Sequence, residues 1–229
     1  MVSIITCTIR DDCMDNVFKN YEQQTWEDKE LIVILNKDTM DIDRWIEKAR
    51  NYPNVQVFQL HEKAALGDCL NFGVLNSSYE IIAKFDDDDY YGPDYITNAM
   101  VVFEDANVSI IGKNSLYIYF KNKRALIHVP GTENAMSDTV AGATLIFRKS
   151  VFYYVRFEKV NRAEDYFFIE QSKKAGFNVF STDCYDFAVI RQDSEKHTWK
   201  ITDDDLMAWG ELVGYMDDFQ SIVSNRQKV

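Results

Sequence analysis

The first 85 residues of the chain alternate short apolar segments with amphipathic ones. The apolar segments predict four strands, at residues 2–6, 30–35, 55–58 and 81–85. The second of these is apolar almost throughout, as expected of a strand that is covered on both faces. The segments between the strands carry apolar residues at helical spacing, so strand and helix alternate. This alternation predicts a parallel sheet built from βαβ units.

Beyond residue 93 the pattern changes to short strands with less regular spacing. After a helix to about residue 103, we expect strands at 108–112, 116–120, 125–129, 143–147, 177–180 and 185–189. Residues 121–123 predict a hairpin turn between the second and third of these strands. A helix is expected to begin near residue 161 and to end at Gly176. The whole chain therefore predicts a single α/β domain, with a change of pattern at about residue 92.

The last part of the chain carries an apolar stripe at helical spacing. The stripe predicts a helix over residues 203–223 that packs on the body of the domain. A contact in a homo-oligomer and a membrane-associated partner are the alternatives. Its members are Leu206, Trp209, Leu212, Val213, Met216, Phe219 and Val223.

Composition restricts the class of protein further. Hydrophobic residues make up 46% of the chain and aromatic residues 14%, which is ample for a packed core and excludes a disordered chain. The net charge of −12 argues against a nucleic-acid partner, because neutralising phosphates needs a basic surface. The same charge disfavours docking on an anionic membrane by electrostatics alone.

Neither the cysteines nor the apolar segments indicate secretion or membrane insertion. The cysteines form no C-x-x-C pair and are Cys7, Cys13, Cys69 and Cys184. In a chain of 229 residues we expect them to be free thiols in a reducing, cytoplasmic compartment. The apolar start has no basic segment before it and is interrupted at Arg10, so it predicts a strand and not a signal peptide. No apolar run is long enough to be a transmembrane segment.

Four consecutive aspartates, Asp86 to Asp89, follow the fourth predicted strand. Like charges side by side repel, and a fold tolerates them most easily when a cation neutralises them. A solvated acidic turn is the alternative. Two features favour a site: Gly92-Pro93 ends the segment sharply at the start of a helix, and α/β sheets bind ligands at the carboxyl ends of their strands. We therefore interpret the run as a metal site for a phosphorylated ligand.

Several motifs, in their order along the chain, resemble those of family 2 glycosyltransferases with the GT-A fold. D-x-D alone is a weak signal, but this order on such a predicted sheet is strong. The motifs are residues 2–8, Gln24-Thr25-Trp26 with residues 30–33, Leu70-Asn71-Phe72-Gly73, the Asp86–Asp89 run with Gly92-Pro93, and Glu164-Asp165.

The resemblance implies a Rossmann-like fold and a type of reaction. The fold would be a mixed central sheet flanked by helices, with a nucleotide-sugar-binding half at residues 1–92 and an acceptor-binding half at 93–229. The reaction would move a sugar from a nucleoside diphosphate-sugar to a hydroxyl-bearing saccharide or glycoconjugate, with inversion at the anomeric carbon. Such transfers belong to the synthesis of polysaccharides, cell-surface polymers or glycoconjugates.

The resemblance also implies roles for the carboxylates. Asp86 and Asp88 match the D-x-D pair: Asp88 is expected to bind Mn²⁺ or Mg²⁺, and Asp86 to reach the ribose or a metal-bound water. Asp87 is expected to support the donor site. Asp165 matches the catalytic base, with Glu164 beside it on the acceptor side. The alternative is that both acids merely stabilise the N-terminus of a helix.

Donor recognition is expected in the loops that follow the first strands. Thr8 and Arg10 follow the first strand, and Thr8 matches a position near the nucleotide base. Where the family usually has an acidic residue that accepts a hydrogen bond from uracil, this chain has Asn36, with Asp38 close by. An asparagine carbonyl can accept that bond, so we expect a UDP-sugar, with cytidine, thymidine and guanosine donors left open. Lys63 is a candidate for the base or a phosphate, with a solvated lysine as the alternative.

Three further positions are implied elsewhere in the site. GT-A enzymes often close with a late histidine that binds the metal or the diphosphate, and His197 matches it; a surface histidine beside Trp199 is the alternative. Arg191 is a second candidate for the diphosphate. Gly142 is expected to let the backbone approach the acceptor sugar, with a simple β-bulge as the alternative.

Two other functions stay open on the sequence. A nucleotidyltransferase on a similar sheet would usually have a glycine-rich basic loop after its first strand, whereas residues 7–12 contain no glycine. A non-catalytic module that binds a sugar nucleotide or a cation would keep Asp86 and Asp88 but would have no need of Asp165.

Overall fold

Strands and helices alternate through the first half of the chain, as the apolar pattern predicts. The structure is a computed structural model that describes residues 1–105, 107–192 and 201–225. The strands are β1 Val2–Thr8, β2 Lys29–Leu35, β3 Val55–Gln59, β4 Ile81–Lys84, β5 Tyr90–Tyr91, β6 Ile110–Gly112, β7 Leu116–Phe120, β8 Ala125–Val129, β9 Ala135–Met136, β10 Ile146–Arg148, β11 Val179–Ser181, β12 Phe187–Arg191 and β13 Glu211–Tyr215. The helices are α1 Met14–Glu22, α2 Ile42–Ala49, α3 Leu66–Asn76, α4 Tyr95–Val102, α5 Lys149–Phe152, α6 Glu164–Lys174, α7 Asp203–Met207 and α8 Gln220–Val223.

Two sheets organise these elements. The larger sheet has the order β3-β2-β1-β4-β10-β6-β11-β9. Its first four strands are parallel, and β10 runs antiparallel to both β4 and β6. The second sheet has the order β13-β8-β7-β12-β5. The predicted mixed central sheet flanked by helices is therefore confirmed, and strands from both predicted halves of the chain contribute to it.

The core lies on both faces of the larger sheet. Because successive residues of a strand point to opposite faces, neighbouring residues enter different apolar clusters. One face packs against α1, α2 and α4, and the other against α3, α5 and α6. The first cluster includes Ile4, Leu31, Val33 and Ala83, and the second includes Ile5, Ile32, Ile34 and Ile82. This two-sided cover explains why these strands are apolar throughout.

The helix predicted over residues 203–223 is wrong. The segment instead forms the short helix α7, the edge strand β13 and the short helix α8. β13 pairs antiparallel with β8, and Gly210 lies so close to that strand that a Cβ there would be 2.5 Å from the carbonyl oxygen of His128. Pairing with β8 thus outweighs the local helical spacing. Leu206, Phe219 and Val223 are buried as expected, whereas Leu212 is exposed.

Parallel strands bring four loops together at one edge of the larger sheet. β1, β2, β3 and β4 end there, so Thr8, Asn36, His61 and Asp86 lie at or just beyond the carboxyl ends of their strands. Such an edge is the usual ligand site of an α/β sheet.

Two expectations about the rest of the chain have a structural counterpart. The four cysteines are free thiols, with Cys69 and Cys184 buried. Over residues 1–105, 107–192 and 201–225, the helices lack the combination of length and apolar character that crossing a bilayer requires.

Candidate active site

The four aspartates after β4 do not share one environment. Asp87 and Asp89 are buried, whereas the side chains of Asp86 and Asp88 are 37% and 24% exposed. Asp89 Oδ1 accepts a hydrogen bond from the backbone N–H of Ile190 on β12 at 3.0 Å. Because the run alternates between interior and surface, only Asp86 and Asp88 present carboxylates to a ligand.

Arg10 and Thr8 hold the buried Asp87. The guanidinium of Arg10 pairs with both oxygens of Asp87, the Thr8 hydroxyl donates to the same carboxylate, and Arg10 Nη1 lies 3.0 Å from Asp88 Oδ2. Burial lowers the pKa of Arg10, but the contact with Asp87 outweighs this and holds the pKa above its ordinary value. Both side chains were predicted to bind the donor; in the structure they fix the acidic run to the loop after β1.

Two asparagines of α1 fix the backbone of the acidic run. Asn16 Nδ2 donates to the carbonyl oxygens of Asp87 and Asp89, both at 2.9 Å, and Asn20 Nδ2 donates to that of Asp89 at 2.8 Å. The sequence analysis missed these residues. Their spacing of four, on the same helix face as buried apolar side chains, was the available signal.

Lys84 connects the acidic run with the start of α6. Its side chain is buried, and Nζ donates to Asp86 Oδ1 at 2.6 Å. Burial lowers the pKa of Lys84, but the charges of Asp86, Asp165 and Glu164 outweigh it and raise the pKa. Burial raises the pKa of Glu164, and the positive charge of Lys84 offsets only part of this increase. The lysine was missed, although a lone charge in an apolar strand is a signal in itself.

A second connection runs through Tyr91 to the catalytic candidate. The Tyr91 hydroxyl accepts from the backbone N–H of Asp86 at 2.7 Å and donates to the carbonyl of Ala143 at 2.6 Å. The preceding residue, Gly142, lies directly against Asp165: a Cβ on Gly142 would be 1.3 Å from Asp165 Oδ2. The other oxygen, Oδ1, accepts from the backbone N–H of Tyr166 at 2.7 Å. Gly142 and Asp165, which were predicted separately as an acceptor-side residue and as the base, are thus in contact.

The predicted base-binding residues form a separate group beside the acidic run. Asn36 Nδ2 donates to the carbonyl of His61 at 3.0 Å, and Asp38 Oδ2 lies 3.5 Å from His61 Nε2. The backbone N–H of Lys63 donates to His61 Nδ1 at 3.1 Å. His61, which the sequence analysis did not select, is therefore the centre of this group. The backbone N–H of Asn36 donates to the carbonyl of Thr8 at 2.8 Å, which joins the group to the acidic run.

Of the two late candidates, one lies in the described part of the chain. His197 lies outside the described residues. Arg191 is buried at the end of β12, where its guanidinium contacts Asp203 and donates to the carbonyl of Ile201 at 2.8 Å.

Two cavities of the described chain are lined by other residues than these carboxylates. A cavity of about 450 Å³ is lined by Glu30, Ile46, Val55 and Tyr79, near the amino ends of β2 and β3. Another, of about 210 Å³, lies between α4 and β6 and is lined in part by Lys113 and Asp183.

Comparison with known proteins identifies the family. The family model described as glycosyl transferase family 2 matches residues 3–199, which is most of the chain. A search of curated proteins found no significant match.

Solved structures of glycosyltransferases share the fold. TarS 1-349 of S. aureus matches with a TM-score of 0.66 and 20% identity, over 82% of this chain and 60% of that one. Its complex with UDP-GlcNAc also gives 0.66, at 18% identity, with 84% and 59% covered. The mannosyltransferase PcManGT of Pyrobaculum calidifontis, in complex with GDP-Man and Mn²⁺, gives 0.62 at 14% identity, with 84% and 56% covered. This chain therefore spans about 60% or less of the length of these structures.

The family match agrees with two features of the structure, which are the order of the strands in the larger sheet and the position of the acidic run at the end of β4. The chain belongs to glycosyl transferase family 2 and has the GT-A fold.

Proposed function

We propose that this chain transfers a sugar from a nucleoside diphosphate-sugar to a hydroxyl of a saccharide or glycoconjugate, with inversion and with the help of a divalent cation. The observation that carries the proposal is the link between two carboxylate groups: the Tyr91 hydroxyl bonds to the backbone of Asp86 and of Ala143, and the neighbouring Gly142 lies against Asp165. The buried Lys84 bonds to Asp86 and lies in the electrostatic field of the second group. Asp86 belongs to the predicted donor side, and Glu164 with Asp165 belongs to the acceptor side. A single displacement needs both sides to face the same sugar carbon.

Asp165 is the proposed base. The attacking hydroxyl is a poor nucleophile at neutral pH, and a nearby carboxylate can take its proton as the new bond forms. The bond from the Tyr166 N–H to Oδ1 and the close backbone of Gly142 hold the carboxylate in one orientation. Glu164 is buried and carries a raised pKa, which suits a supporting role beside the base.

Asp88 is the proposed ligand of the cation, and Asp86 is proposed to reach the ribose or a metal-bound water. The site fits Mn²⁺ or Mg²⁺, because these are the partly exposed carboxylates of the run and hard cations prefer oxygen ligands. When bound, such a cation withdraws charge from the diphosphate leaving group as a Lewis acid. Asp87 would keep Asp88 in place through the shared contact with Arg10.

Replacement of Asp88 by alanine tests the cation site. We expect Asp88→Ala to lose the increase in nucleoside diphosphate affinity that Mn²⁺ gives the unaltered protein, since one carboxylate ligand is gone. Titration calorimetry with and without Mn²⁺ measures this, and Asp217→Ala, which removes an exposed acid paired with Arg124, is the matched control. An undiminished Mn²⁺ effect in Asp88→Ala would show that the cation is held elsewhere.

Uracil is the proposed base of the donor. Asn36 uses an amide hydrogen to bind the His61 carbonyl, so its Oδ1 is the atom that would accept the N3–H of uracil. The Thr8 carbonyl accepts a hydrogen bond from the backbone N–H of Asn36. Asp38 and Lys63 belong to the same group because both contact His61. The TarS structure contains UDP-GlcNAc, whereas the mannosyltransferase contains GDP-Man, so the fold itself accommodates either base.

A thermal-shift panel of nucleoside diphosphates distinguishes these donors. In the presence of Mn²⁺ we expect UDP to raise the melting temperature more than CDP, GDP or dTDP, because only the ligand that binds the native state well stabilises it. Asn36→Ala should remove the preference for UDP while leaving the general effect of a diphosphate. A larger shift with GDP in the unaltered protein would contradict the assignment of uracil.

A further inference from the structure

A cluster of potential metal ligands lies outside the candidate active site. One ligand atom from each of His128, Glu133 and Cys184 lies within 4.8 Å of the other two. His128 is on β8, Glu133 is in the loop that follows it, and Cys184 lies between β11 and β12. The fold thus brings three separate segments together at this point.

The cluster is at the opposite end of the second sheet from the acidic run. His128 pairs with Tyr117 near the start of β7, and Cys184 precedes the start of β12. Asp89, by contrast, bonds to Ile190 near the end of β12. A cation bound in the cluster would therefore be distinct from one bound by Asp88.

We propose that His128, Glu133 and Cys184 form a second metal site that binds zinc. The set offers one nitrogen, one oxygen and one sulfur, and thiolate with imidazole selects Zn²⁺ over the oxygen-preferring Mg²⁺ and Mn²⁺. With the histidine neutral, a carboxylate and a thiolate supply two negative charges to a divalent ion. The proposal does not depend on the assignment of the donor-site cation.

The distances suit a tetrahedral ion after a small closure. Ligand atoms around tetrahedral zinc lie about 3.4 Å apart. His128 Nε2 and Glu133 Oε1 are already 3.8 Å apart, and the remaining separations are at most 4.8 Å. A shift of about 1 Å in the side chains of the loop would complete the geometry.

The surroundings hold the imidazole and leave the cluster open to an ion from solvent. The Tyr117 ring packs 5.1 Å from the imidazole. The Ser115 hydroxyl lies 2.8 Å from His128 Nε2, the nitrogen that faces Glu133, so an ion bound by Nε2 would take the place of this hydrogen bond. Cys184 is buried, while the side chains of His128 and Glu133 are 28% and 32% exposed.

The ion would cross-link the loop that leads to the acceptor side. Residues 130–139 connect β8 to the turn that contains Gly142, and Glu133 is the member of the cluster in that loop. Zinc would bind the native state and not the unfolded one, so it would stabilise the fold. At a free concentration 100-fold above the dissociation constant, the melting temperature should rise by about 5–10 °C.

Cobalt provides the direct test, because a Co²⁺–thiolate bond gives a charge-transfer absorption band. Full-length protein stripped with a chelator should take up one equivalent of Co²⁺ with this band, and Zn²⁺ should displace it. Cys184→Ser should abolish the band, and His128→Gln or Glu133→Gln should weaken Co²⁺ binding at least tenfold. Circular dichroism of each metal-free variant checks that it is folded.

Two controls exclude the donor site. Cys13 is the control thiol because it is close to Asp87 and Asp88: burial raises its pKa, and the charges of these two aspartates raise it further. Cys13→Ser should keep the band. Asp88→Ala should also keep it. The proposal is overturned if the folded protein shows no band, if Cys184→Ser retains it, or if Cys13→Ser or Asp88→Ala removes it.

Discussion

Asp165→Asn is expected to lower the turnover of donor by about 10²–10⁴-fold, the usual contribution of a positioned general base. Asparagine keeps nearly the shape of aspartate, and its Oδ1 can still accept the hydrogen bond from the Tyr166 N–H. What it loses is the ability to take a proton from the attacking hydroxyl. Nucleotide and cation binding should persist, because Asp88, the proposed cation ligand, and Asp86 beside it are unchanged.

Two measurements separate this loss from a general defect. Donor hydrolysis, in which water replaces the unknown acceptor, gives kcat, and calorimetry gives the affinity for the nucleoside diphosphate with Mn²⁺. Asp217→Asn is the control, since it removes an exposed carboxylate that pairs with Arg124 far along the chain from the site. Unchanged turnover in Asp165→Asn would show that another group is the base.

The local pattern was sufficient for the parallel half of the fold. β1, β2 and β4 are buried on both faces, so their sequences are largely apolar without reference to any distant residue. The same pattern places Asp86 just after a strand, and parallel strands end at one edge by geometry. The position of the acidic run at the ligand edge of the sheet therefore follows from local information.

Two strands of the second sheet, β5 and β13, could not be predicted in the same way. β13 exists because its backbone pairs with β8, more than eighty residues earlier in the chain. β5 has two residues, Tyr90 and Tyr91, and pairs with β12, which lies almost one hundred residues later. The spacing of apolar residues within a segment does not depend on which distant strand the segment pairs with. The helical spacing of residues 206–223 therefore led to the wrong prediction of a helix.

The contacts inside the site could not be predicted either, even for residues that were named from the sequence. Asp165 was found through the resemblance, but its contact with Gly142 and its link to Asp86 through Lys84 depend on how the larger sheet is assembled. For Arg10 the structure adds contacts that the prediction did not include. Arg10 was predicted to bind the donor, and its guanidinium is paired with Asp87 and Asp88, so a role in donor binding has to be compatible with these two ion pairs.

Gly142→Ala is the sharpest test of the assembled geometry. A methyl group at residue 142 would lie 1.3 Å from Asp165 Oδ2 and 2.3 Å from its Cγ, so the carboxylate has to move. A displacement of about 1 Å in a catalytic group can cost about 10²-fold in rate. We expect kcat to fall by about that factor, with little change in nucleotide affinity, because the added methyl would meet Asp165, the proposed base.

A glycine elsewhere and a double variant complete this test. Gly214→Ala on β13 should be close to neutral, since its added methyl meets only the end of the flexible Met216 side chain, at 3.2 Å. If Gly142→Ala acts by displacing Asp165, the double variant with Asp165→Asn should be no slower than Asp165→Asn alone. Losses that multiply in the double variant would mean that Gly142 acts independently of Asp165, through the fold or through the acceptor itself.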